Sequence, residues 1–73
     1  MNGYQETIRE EMARLGYVGQ YDPRHIEAYM RVEHPTLDGL SASEFRREMG
    51  LARSCVNEGG RDMAERIARS FGL

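Results

Sequence analysis

Apolar residues recur at three- and four-residue intervals in four stretches of the chain, and none of these stretches shows the strict alternation of a half-buried strand. In the first, Tyr4, Ile8, Met12 and Leu15 share a stripe, with Glu6, Arg9, Glu10 and Arg14 outside it; the pattern predicts a helix over about 3–15. Asn2 is placed to cap its start, and Gly16 to end it in the left-handed conformation. Asp22-Pro23 supplies a side-chain acceptor at N-cap and a preset φ at the first helical position, which predicts a second helix over 23–34. Its apolar side is Ile26, Tyr29 and Met30, with Val32 at the margin, and Pro35 forces it to stop. Ser41 with Glu44 three residues on reads as a capping box opening a third helix over 42–58. Phe45, Met49, Ala52 and Val56 form its stripe, widened by Leu51 and Cys55. Gly59-Gly60 separates this from a fourth helix over 61–71, with Met63, Ala64, Ile67, Ala68 and Phe71 on one side. The expected architecture is all-α: a compact four-helix domain occupying residues 1–73. Its expected core is Ile8, Met12, Ile26, Met30, Phe45, Met49, Val56, Ile67 and Phe71.

The two longer connections differ in character. Tyr17, Val18 and Tyr21 make the stretch from Gly16 to Tyr21 too apolar for a solvated loop. Between Pro35 and Leu40, Leu37 and Leu40 are expected to plug one end of the bundle.

With 73 residues, 40% hydrophobic and 30% charged, the chain is an ordinary globular composition on a small scale. Its net charge of −2 argues against a sequence-independent grip on nucleic acid or on anionic membranes. All 10 basic residues are arginine, the cation suited to bidentate ion pairs. One cysteine, Cys55, allows neither an intramolecular disulfide nor a cysteine-based zinc cage, and points to a reducing, cytoplasmic compartment. No apolar run is long enough for a membrane span or a signal-peptide core.

Candidate chemistry is sparse. His25 and His34 lie nine residues apart at the two ends of the second helix, without the i,i+3 or i,i+4 spacing that lets a helix chelate metal. Cys55 falls in the body of the third helix and reads as a small buried hydrophobe. Glu44 with Glu48, and Glu6 with Glu10, read as solvated charged faces rather than an acid/base pair. Gly59-Gly60 lacks the lysine of a phosphate loop. No catalytic, cofactor or metal residue is therefore expected, and the chain is not expected to be an enzyme.

One stretch, 45–57, permits a helix-turn-helix reading, with Gly50 as the turn glycine and Arg53, Ser54 and Asn57 facing the bases of DNA. Arg46 at a position that normally needs a small residue, the early Gly59-Gly60 and the surrounding Glu44, Glu48 and Glu58 oppose it. A continuous helix through Gly50 is the preferred reading.

The stretches Met30-Arg31-Val32-Glu33-His34-Pro35-Thr36-Leu37-Asp38-Gly39-Leu40-Ser41 and Ala64-Glu65-Arg66-Ile67-Ala68-Arg69-Ser70-Phe71-Gly72-Leu73 resemble small uncharacterised helical proteins of bacteria and their phages. The resemblance covers about residues 22–73. It implies a bacterial or phage, cytoplasmic origin and carries no site residues with it.

The function expected is that of a small non-enzymatic helical module, regulatory or protein-binding, that docks on a partner protein or on a second copy of itself. Five methionines and four tyrosines are many for so short a chain, and both types suit adaptable interfaces. Tyr17 and Tyr21, with Arg24 beside them, are the candidate partner-binding residues, because aromatic residues and arginine dominate binding hot spots.

Overall fold

A computed structural model describes residues 4–73, which form three helices: α1, Tyr4–Arg14; α2, Pro23–Glu33; and α3, Ala42–Ser70. Asn2 and Gly3 lie outside the described residues. The expectation of four helices is corrected. The stretches read as separate helices over 42–58 and 61–71 are one element of 29 residues, bent at Gly60, where φ is 83° and ψ 168°. That backbone region is open almost only to glycine. One residue in it redirects the chain between two helical stretches, so no connecting loop is needed. Gly59 stays helical and has a different role: a Cβ there would stand 2.8 Å from the Tyr29 hydroxyl of α2.

The helix ends follow local chemistry. Asp22 accepts a hydrogen bond from the Arg24 N–H at 2.9 Å, ahead of Pro23. Ser41 and Glu44 form the complete capping box, with the Glu44 N–H donating to Ser41 Oγ at 3.1 Å and the Ser41 N–H donating to Glu44 Oε1 at 2.8 Å. These bonds hold the Glu44 carboxyl below its ordinary range. α1 ends in a Schellman motif: Gly16, at φ 89°, donates to the Ala13 carbonyl at 3.1 Å and Tyr17 to the Met12 carbonyl at 2.8 Å. The same paired bonds close α3, from Gly72 to Arg69 at 3.0 Å and from Leu73 to Ala68 at 2.9 Å.

Ile8, Met12, Ile26, Met30, Leu37, Met49, Ala52, Val56 and Ala64 form the buried cluster, with Phe45 and Leu40 partly buried against it. Two expected core members sit elsewhere. Ile67 is half-buried and Phe71 is 40% exposed. After the bend, α3 buries the small residues Ala64 and Ala68, and Ala64 joins the core cluster. Phe71 is the C-cap of α3, past its last helical turn, while Glu65 of α3 and Leu73 beyond it reach Arg24 in the first turn of α2.

Two carboxylates expected on solvated faces or left unremarked are buried and paired, as burial demands. Glu27 is fully buried and accepts from Arg31 Nε at 2.8 Å. Glu48 faces His34 Nε2 at 3.5 Å. α1 leans on α3 through side chains: Tyr4 stacks on Phe45 at 6.3 Å, and Arg46 donates to Glu11 at 3.1 Å. Tyr4 also donates to the Asp38 carboxylate.

Candidate functional site

The first connection is built so that its rings stay at the surface of the core. The Schellman turn at Gly16 is followed by a second turn, closed by Gln20 N–H to the Tyr17 carbonyl at 3.1 Å, with Gly19 at φ 75° in its third position. This geometry brings Tyr17 and Tyr21 together edge to face, ring centroids 6.0 Å apart. Both rings are half-buried against the core. Between them the chain turns Val18 outward, 73% exposed.

The two tyrosines are each tied to α3. The Arg53 guanidinium lies over the Tyr17 ring, 4.3 Å from its centroid, and the Tyr21 hydroxyl donates to Asn57 Oδ1 at 3.1 Å. Residues assigned to two alternative sites in the sequence, Tyr17 and Tyr21 on one hand and Arg53 and Asn57 on the other, thus belong to one face. Ser54 is exposed. α3 runs helically through Gly50, so there is no turn at that position.

Two depressions flank Tyr21. One is an apolar groove of about 240 Å³ lined by Met12, Ala13, Tyr17, Val18, Tyr21 and Pro23, with Arg9 at its edge. The other is a larger polar cleft of about 760 Å³, lined by Tyr21, Asp22, His25, Asn57, Gly60 and Arg61 among others.

Arg24 does not join the tyrosines. Its guanidinium binds both Glu65 oxygens, at 3.1 and 3.0 Å, and its Nε donates to the Leu73 carbonyl at 3.0 Å. His25 Nε2 meets Glu65 at 2.9 Å, and Arg69 adds a bond at 3.1 Å. The Arg24 hydrogen bonds, then those of His25, pull the Glu65 carboxyl down to about 2. Arg69 is the i+4 neighbour of Glu65 on the same helix, but the principal partners of Glu65 come from α2. Only the bend at Gly60 could have told which way Glu65 faces.

Cys55 is exposed rather than buried. Met49, Ala52 and Val56, at helical spacing, are the inward residues of that stretch, and Cys55 falls beside them. Burial, with a smaller electrostatic contribution from Cys55, raises the Tyr29 hydroxyl. Among the described residues, no three histidine, cysteine or acidic side chains are grouped to hold a metal ion, and no helix is long and apolar enough to cross a membrane. No family model, curated protein or solved structure matches the chain.

Proposed function

We propose that this protein is a small, non-enzymatic helical module that docks on a partner protein through the face formed by Tyr17, Val18 and Tyr21. The outward Val18 at the rim of an apolar groove carries this reading. A large apolar side chain held in water beside two aromatic rings is a surface that association would cover. The groove, at about 240 Å³, is smaller than the ~300–1,000 Å³ of small-molecule sites. Its lining fits one or two aliphatic side chains presented by a protein surface. Arg53 over Tyr17 fixes one ring in place, which lowers the ordering cost on binding. The exposed thiol of Cys55 fits work in a reducing, cytoplasmic compartment.

The test is capture from a bacterial lysate with tagged wild-type protein and with the Val18→Glu variant, whose exposed position leaves folding intact. A specific protein retained by the first and lost with the second is the expected result. Retention unchanged in the folded variant, or none at all, removes the reading.

A further inference from the structure

Gly60 is the one residue of α3 with non-helical backbone angles. A straight helix of 29 residues would run about 44 Å, yet the longest Cα extent of the folded chain is 27 Å. The bend at this single residue therefore keeps residues 61–73 on their own body. A Cβ at Gly60 would meet nothing within 4 Å, so the position requires glycine for its backbone angles and not for space. A polar cleft of about 760 Å³ borders the bend, lined by Gly60, Asn57 and Arg61 among others. Past the bend, the arm is held by separable interactions: the burial of Ala64 and Ala68, Glu65 on Arg24 and His25, and the Leu73 carbonyl on Arg24.

We propose that two copies of this chain form a dimer by exchanging these arms. Gly60 takes helical angles, α3 becomes one straight helix, and each arm lies on α2 of the second copy with Glu65 on that copy's Arg24 and His25. Every contact of the closed arm is re-formed between copies, which is what makes such exchange a low-cost route to dimers. The helix gains continuity through residue 60, and association entropy opposes it. The face around Tyr17, Val18 and Tyr21 takes no part, so this inference stands or falls apart from the docking reading.

The first experiment is light scattering after size exclusion over a range of concentrations, in reductant so that Cys55 cannot cross-link copies. Gly60→Ala disfavours the closed bend and favours the straight helix, and it should tighten dimerisation about tenfold or more over wild type. A Gly60→Ala protein that is as helical as wild type and no more dimeric overturns the proposal. The second experiment mixes Arg24→Glu and Glu65→Arg chains. Each alone places like charges across the closed latch. Only arm exchange between the two chains sets opposite charges at both latches. A one-to-one heterodimer, with a melting temperature above that of either chain alone, supports exchange. A mixture that stays monomeric, or forms no more heterodimer than each chain forms homodimer, overturns it. Should Gly60→Ala lose its helicity, the mixture decides alone.

Discussion

The Arg24 guanidinium and the Glu65 carboxylate meet edge to edge, Nη1 on Oε1 at 3.1 Å and Nη2 on Oε2 at 3.0 Å, across 41 residues of sequence. With His25 completing the set, Glu65 titrates near 2 instead of 4.5. Between those values the unfolded chain binds the proton and the folded chain does not, so stability rises with pH. The contribution of Glu65 is fully present above pH 4.5 and is lost as the pH falls toward 2. Urea unfolding across that window should show a steep decline in wild type and a shallower one in Glu65→Gln. Glu44, lowered by its capping bonds, supplies slope of the same sign in both proteins. Parallel declines would show that Glu65 is not held by Arg24.

Gly59 and Tyr29 should be coupled. Alanine at 59 gains helix propensity worth about 1 kcal/mol, but its Cβ would crowd the Tyr29 hydroxyl at 2.8 Å. Gly59→Ala should therefore be less favourable in the wild-type chain than in a Tyr29→Phe chain, by about 1 kcal/mol. Denaturant unfolding of the four proteins of the cycle measures the difference, and additivity would deny the contact.

Core truncations should rank by observed burial. Met49 is fully buried, and Met49→Ala should cost about 2–5 kcal/mol. Phe45, the larger side chain, is only partly buried beside Tyr4, so Phe45→Ala should cost less than Met49→Ala. Thermal melts of the two variants check the order.

The Cys55 thiol should react with a thiol reagent in the folded protein at a rate close to that in the unfolded chain. Cys55→Ser should leave stability within about 0.5 kcal/mol. Strong protection in the native state would place this side chain inside.

What was legible in the sequence was what neighbours in sequence decide. Asp22-Pro23, Ser41 with Glu44, and Gly16 each satisfy backbone groups within a few residues, and each does so in the structure. The helical stripes also named Ile8, Met12, Ile26, Met30 and Met49 as core. The bend at Gly60 depends on one pair of backbone angles, and a Gly-Gly pair reads equally well as the end of a helix. The helix count and the Arg24–Glu65 contact both turn on that one ambiguity. Tyr17 and Tyr21 stand out in the sequence because an apolar loop is anomalous. Their attachment to Arg53 and Asn57 does not, since it depends on where two elements far apart in sequence come to rest.

The three helices are not equally anchored. α2 and α3 share most of the interhelical surface, whereas α1 packs on α2 over a smaller area and meets α3 through the Tyr4–Phe45 and Glu11–Arg46 side-chain pairs. α1 gives Ile8 and Met12 to the shared core but is the least anchored of the three helices. Its amides should exchange with solvent through openings smaller than global unfolding, while those of Met30 and Met49 wait for the whole molecule to come apart.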